Sequence, residues 1–359
     1  MKKTCVFCGE HPISKTKEHV LPSWLLGMTG GLNRPLHLPL LRNKFEKPER
    51  PMSFGSFHFP ACESCNFNFS SLENTVKSIV ERMMAGRGIT NEEVSTFLDW
   101  LDKVRTGLWL GILFLEKNPF NIAPRFHIGK RMGGKDRVVV IYRASEDWRG
   151  ISFIGINFPI FHHAPSCFSL IVNHLGFFNI STEYLFSRRL GFPYPEHISL
   201  HESGLSESIM KSGRERVMFP LLKYPYSTLG TELFQPMFPS KTIVNADPLE
   251  LSNLYDTNYV RNYSLKHAEG VGLPLIQKDK SLTIYSHSIS SAWLPQQVLD
   301  PQKMRNILAD QTFHWQVKLL EDSPMFSDRR TKQIAKILKK TNLSMLKRIR
   351  EKDKFESQQ

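Results

Sequence analysis

Long apolar runs are missing from this chain, and cysteine is scarce. The longest run, Thr106 to Leu115 (TGLWLGILFL), is about half of the ~20 residues that a spanning helix needs. The first residues pass from Met1-Lys2-Lys3 to Thr4 and Cys5 with no apolar core of a signal peptide, so a soluble, cytoplasmic protein is expected. Five cysteines in 359 residues exclude a disulfide scaffold. A dinucleotide loop is absent too: Gly270-Val271-Gly272 lacks the third glycine. Ser286-His287-Ser288 has no elbow glycines around it, so a loop or strand is expected there. There is no internal repeat and no low-complexity tract.

What is present is a foldable and basic chain. Hydrophobic residues make up 41% and include 25 Phe, enough for a sizeable core in two or three domains. Lys plus Arg outnumber Asp plus Glu by 47 to 34, a net +13. That excess favours a polyanionic partner, either nucleic acid or an acidic membrane surface.

The cysteines carry the sharpest signal. Cys5 and Cys8 form one C-x-x-C pair, and Cys62 and Cys65 another. In a reducing compartment such pairs are metal knuckles more often than redox pairs. Two knuckles supply the closed tetrahedral thiolate set of a structural Zn²⁺. Gly9 follows the first pair, where a knuckle turn needs positive φ. Cys167 stands alone and is expected to be a small buried hydrophobe.

Between and after the knuckles lie candidate catalytic groups. Lys17-Glu18-His19-Val20-Leu21-Pro22 follows the first. In a strand, Glu18 and His19 point to opposite faces. The stretch from Asn66 onward predicts a helix through Val76, Ile79, Val80 and Met83, with Asn66, Ser70 and Glu73 on one face. Two strands and a helix would thus gather Glu18, His19, Asn66 and Glu73.

The string C-x-x-C, Glu18-His19-Val20-x-Pro22, C-x-x-C-Asn66 resembles the HNH endonucleases with a zinc-stapled treble-clef, or ββα-metal, fold. The resemblance covers residues 1 to about 85. It implies that His19 is the general base activating water. It implies that Glu18 and Asn66 are ligands of a catalytic Mg²⁺ or Mn²⁺, with Cys5, Cys8, Cys62 and Cys65 on structural zinc. Three positions depart from the family pattern. Glu18 replaces the usual Asp. Ser56-Phe57-His58-Phe59-Pro60 carries no central Asn, and Phe69 stands where a Lys is frequent. Glu73, one helical turn further on, is the expected compensating ligand. The implied activity is DNA hydrolysis. RNA cleavage on the same scaffold and non-catalytic zinc-dependent nucleic-acid binding are the alternatives.

The remainder is expected to be an α+β domain over residues 88–320 with a mainly antiparallel sheet, following the 1–85 nuclease-like unit. Thr90 and Glu93 predict a capping box at the start of an amphipathic helix. Strand-like runs are Arg137–Tyr142, Ile151–Phe158, Phe168–Val172, Phe177–Ile180 and Leu282–Tyr285. His162-His163 is expected at a sheet edge. Pro35 to Pro51, with Arg42, Lys44, Lys47 and Arg50, is expected to be an insertion loop beside the phosphates, or a solvated loop.

Residues 328–359 form a basic tail. From Arg329 to Lys354 there are eleven Lys or Arg against two Asp or Glu. Apolar residues recur at roughly helical spacing, so a basic amphipathic helix or helical pair is expected, with Arg329, Arg330, Lys339, Lys340, Lys347 and Arg348 as nucleic-acid contacts. DNA is favoured over RNA as the partner and no membrane is expected. A protein partner or regulatory ligand is open to the large domain. A small nuclease head on a large body is also the arrangement of bacterial anti-phage effectors, by analogy only.

Overall fold

The run Arg137–Tyr142 contains no alternation of polar and apolar residues, and a strand so written must be covered on both faces. A computed structural model shows how. It describes residues 4–36, 52–115, 128, 136–163, 165–182, 194–200, 206–211, 229–235, 275–278, 281–284, 295, 297–321 and 329–356.

The chain begins with a small unit. Strand β1 (Lys15–His19) leads to the short helix α1 (Ser23–Met28). The two-residue strands β2 (Pro35–Leu36) and β3 (Met52–Ser53) pair across the basic Pro35–Pro51 segment. Arg42, Lys44, Lys47 and Arg50 of that segment lie outside the described residues. Strand β4 (His58–Cys62) then pairs antiparallel with β1 and runs directly into helix α2 (Glu63–Met84). Helix α3 (Asn91–Leu115) follows. The expected capping box opens it: Thr90 N–H donates to Glu93 Oε2 (2.7 Å) and Glu93 N–H to Thr90 Oγ1 (3.3 Å).

The larger part is one antiparallel sheet with helices on both faces. Its strands are β5 (Asp136–Ala144), β6 (Ile151–Ile154), β7 (Cys167–Val172), β8 (Leu175–Thr182), β11 (Thr231–Gln235), β12 (Leu275–Lys278) and β13 (Ser281–Ile284). The order is β13-β12-β11-β5-β8-β7-β6, and β14 (Val298–Leu299) adds to β5 in parallel. A separate hairpin joins β9 (Tyr194–Leu200) and β10 (Ser206–Lys211).

Residues of β5 divide by parity. Val139 and Ile141 join Leu170, Val172 and Phe177 in a core with α3 and the N-terminal unit. Val138, Val140 and Tyr142 pack on the other side against α5 (Pro301–Glu321), through Met304, Leu308, Trp315 and Leu319. Helix α6 (Arg329–Glu356) lies over α5, its Leu338 and Leu346 meeting Phe313, Val317 and Leu320. The core that holds the knuckle cysteines is therefore continuous with the core of the sheet.

Two expectations are corrected. The strand-like run Ile151–Phe158 stops at Ile154, and His162-His163 lies in the short helix α4 (Pro159–His163) instead of at a sheet edge. Gly155, at φ +90°, turns the chain out of the strand. His162 is buried there and its pKa is pushed down to about 4 by that burial. Cys167 is buried as expected, and burial raises its thiol pKa. Among the described residues, no helix is long and apolar enough to cross a membrane. The apolar run of residues 106–115 forms the end of α3, and its residues 106–113 are buried.

Candidate metal and catalytic site

The first knuckle is a tight turn. Gly9 has φ +86° and its N–H donates to Cys5 O (2.9 Å), while Cys5 N–H donates to Glu10 O (2.8 Å). Val6 N–H donates to Pro60 O (3.0 Å), which lays this knuckle across β4. The second knuckle straddles the junction of β4 and α2, with Cys62 as the extended N-cap residue and Cys65 in the first turn. Lys15 stands opposite Cys62 in the β1–β4 ladder, so the strand leaving one knuckle pairs with the strand entering the other.

As a result the ligand atoms of Cys5, Cys8, Cys62 and Cys65 all lie within 4.8 Å of one another. Cys8 and Cys62 Sγ are 3.9 Å apart. Tetrahedral Zn²⁺ at ~2.3 Å from each sulfur places the sulfurs roughly 3.8 Å apart, so the four thiols fit that ion. Their electrostatics also ask for a cation. The Cys62 thiol is pulled down to about 6, first by the Ser64 hydroxyl and then by the Cys65 N–H at the helix start. Cys8 and Cys65 are pushed up, first by burial and then by the neighbouring thiols. Four thiolates so close are tolerable only around a positive ion. Among the described residues, this is the one group of three or more His, Cys, Asp or Glu side chains arranged to hold a metal.

The same ladder positions the candidate catalytic residues. His19 stands opposite His58 and Glu18 opposite Phe59. Glu18 is buried and His19 half-buried, on opposite faces of β1 as the strand period requires. His19 Nδ1 has no hydrogen-bond partner among the described residues. Its pKa is depressed below 6.5, first by burial and then by His58 and Lys17, while Glu73 pulls the other way. The ring is therefore neutral at physiological pH.

Glu73, on α2, meets Glu18 around one point, and that point holds an ammonium group. Lys103 Nζ, from α3, is 2.6 Å from Glu18 Oε1 and also bonds Glu73 Oε1. The side chains of Lys103, Glu18 and Glu73 are 4%, 8% and 17% exposed. Lys103 Nζ also sits 5.5 Å from the ring centroid of Phe7 and 5.8 Å from that of Phe69, and these rings stack at 4.0 Å. Burial raises the pKa of both carboxyls, and Lys103 opposes that rise.

Glu18, His19 and Glu73 are thus brought into one neighbourhood. Asn66 is half-buried in the first turn of α2, seven residues and about two turns before Glu73 on the same face. Phe69, at the position where the family favours Lys, stacks on the knuckle residue Phe7. Two residues escaped sequence reasoning. His58 was legible in principle, because pairing the two knuckles fixes the register that sets it against His19. Lys103 lies 30 residues beyond Glu73, and no local signal connects the two.

The basic tail is a helix, α6, as expected. Arg329, Arg330, Lys340 and Lys347 are exposed and Lys339 is half-buried. No family model, curated protein or solved structure matches this chain.

Proposed function

We propose that this chain is a zinc-stapled phosphodiester hydrolase of the HNH type, acting on DNA. The observation that carries the reading is His19. It is a neutral, half-buried imidazole at a strand end that feels the charge of Glu73 on α2, while Glu18 on the other face of the strand joins Glu73 at the Lys103 ammonium. Cys5, Cys8, Cys62 and Cys65 hold structural Zn²⁺, which fixes β1 against β4 and α2.

The carboxylates of Glu18 and Glu73 suit a hard cation, since an ammonium ion already stands between them. Mg²⁺ or Mn²⁺, when bound, would be held by Glu18 and Glu73 in place of the Lys103 ammonium, and would supply charge neutralisation at the phosphate. His19 does the proton work. The neutral imidazole accepts a proton from water as the water oxygen attacks phosphorus, and the P–O bond to the leaving sugar oxygen breaks. Glu73 favours the imidazolium that forms. The exposed lysines and arginines of α6 supply a sequence-independent attraction for the phosphate backbone.

The Glu18–Lys103–Glu73 cluster favours a second reading, a zinc-dependent nucleic-acid-binding protein without catalysis, because a buried ammonium fills the place of the ion. Supercoiled plasmid and an RNA transcript, each incubated with the protein and Mg²⁺, Mn²⁺ or EDTA, test both. The hydrolase reading expects metal-dependent nicking of the plasmid and a loss of roughly 10²–10⁴-fold in rate for His19→Ala. Binding without cleavage of either polymer leaves the second reading.

A further inference from the structure

The β1–β4 ladder sorts its residues onto two faces. Directly opposed residues share a face, and so do residues two apart along a strand. Glu18 and Phe59 make one side and are buried. Lys17, His19, His58 and Pro60 make the other, where Lys17 is exposed and the remaining three are half-buried. The Glu18–Lys103 ion pair therefore lies behind the hairpin, and both imidazoles lie on the side that meets solvent.

On that side the two rings form one unit. Their centroids are 6.1 Å apart and their planes meet at 82°. His19 Nδ1 is enclosed, which leaves Nε2 as the nitrogen for a substrate. Besides His58, two charges bear on His19: Lys17, two residues before it, and Glu73 of α2.

Two imidazoles side by side can divide the proton work of phosphodiester transfer. One group must take a proton from the nucleophile, and another must give one to the leaving oxygen. Each has to reach its oxygen at about 2.6–3.2 Å, so the pair must share one surface with a phosphate against both. RNA brings its own nucleophile, because the ribose 2′-hydroxyl is tethered beside the phosphorus. DNA lacks that hydroxyl.

We propose that His19 and His58 form an acid–base couple that cleaves RNA at its 2′-hydroxyl without a divalent ion. This is a second activity, and it stands on the ladder geometry, not on the metal-dependent reading. His19 takes the proton of the 2′-hydroxyl as that oxygen attacks the neighbouring phosphorus. His58, entering as the imidazolium, gives a proton to the 5′ oxygen as the P–O5′ bond breaks. The products are a 2′,3′-cyclic phosphate and a free 5′-hydroxyl. One proton is taken and one given, and exchange with water returns each ring to its starting state. Lys17, exposed on the same face, offsets the negative charge that gathers on the phosphoryl oxygens.

The test uses the zinc-loaded full-length chain in buffer stripped of divalent ions, with zinc content measured before and after. The substrate is an oligonucleotide with a single ribose among 2′-O-methyl residues, so that only one linkage can react. A second version carries sulfur in place of the 5′ oxygen at that linkage, a leaving group that departs without a proton. The unsubstituted protein is expected to cleave both and to leave a 2′,3′-cyclic phosphate. His58→Ala should lose roughly 10²–10⁴-fold on the oxygen substrate and return to within about tenfold of the parent on the sulfur one. His19→Ala should stay inactive on both. His58→Gln replaces His58→Ala if the smaller side chain costs the zinc. No cleavage without divalent ions overturns the proposal, as does equal cleavage by His19→Ala. A zinc-retaining His58 variant that loses both substrates equally, or neither, also overturns it. Ribose-dependent cleavage of this kind with no plasmid nicking under Mg²⁺ or Mn²⁺ supports the couple and removes the metal-dependent reading. Nicking with no cleavage of the ribose linkage does the reverse.

Discussion

His19 and His58 face each other across the β1–β4 ladder, their rings nearly perpendicular with centroids 6.1 Å apart. The pair matters because each imidazolium would repel the other. His58 is the largest side-chain contribution to the depressed pKa of His19, after burial. A general base with a low pKa stays neutral far into the acid range, at some cost in basicity.

A pH profile follows from that pair. Cleavage dependent on neutral His19 should rise with pH, with a midpoint below 6.5. Removing His58 as His58→Ala takes away both charge repulsion and cover, and both raise the pKa of His19. The acid limb of the single-turnover profile should move to higher pH, with the plateau rate kept within a few fold. A limb that stays in place, or moves to lower pH, would separate His58 from the base.

Zinc should be stoichiometric and structural. Elemental analysis should find one Zn²⁺ per chain, and its release by a chelator should be accompanied by loss of the cooperative melt of the N-terminal unit. Cys62→Ser removes the thiolate with the lowest pKa of the shifted thiols, at about 6, and should lose the metal. Cys167→Ser changes a buried thiol outside the cluster and should keep it.

The knuckles and the capping box were legible because each is written within a few residues. Cysteine spacing makes the knuckles whose four thiols converge, and Thr90 with Glu93 sets the start of α3. The antiparallel sheet was legible as a class. Its order was not, since β11 pairs with β5 from about 90 residues away and Thr231–Gln235 carries three buried polar residues, Thr231, Glu232 and Gln235. His162 and His163 failed for a related reason. Apolar residues before them fit a strand, yet the fold needed a helical turn over α6, and only tertiary packing chooses. Lys103 was invisible because the charges it meets come from two elements folded back on α3.

The fit of α3 to the N-terminal unit has a measurable cost and a sign reversal. Gly111→Ala places a methyl against Phe57 and should destabilise the protein by about 1–3 kcal/mol in urea titrations. Glycine in a helix interior is worse than alanine by about 1 kcal/mol. In a Phe57→Ala background the clash is gone, and Gly111→Ala should then be neutral or stabilising. Equal destabilisation in both backgrounds would mean that the close approach is not what governs the position.

The last expectation concerns α6 and salt. Leu338, Asn342 and Leu346, at spacings of four, form its buried stripe, and Asn342 Nδ2 donates to Gln316 Oε1 (3.3 Å) of α5. Truncating the helix would therefore expose core, and substitution is the cleaner test. Lys332, Lys336, Lys340 and Lys347 are exposed, and changing all four to Gln leaves the buried stripe intact. If they lie on a DNA backbone, the slope of log affinity against log salt should become shallower by up to about 0.9 for each phosphate that is no longer neutralised. Fluorescence anisotropy on a labelled duplex measures it. An unchanged slope, with affinity also unchanged, would move the phosphate track off α6 to another basic part of the chain.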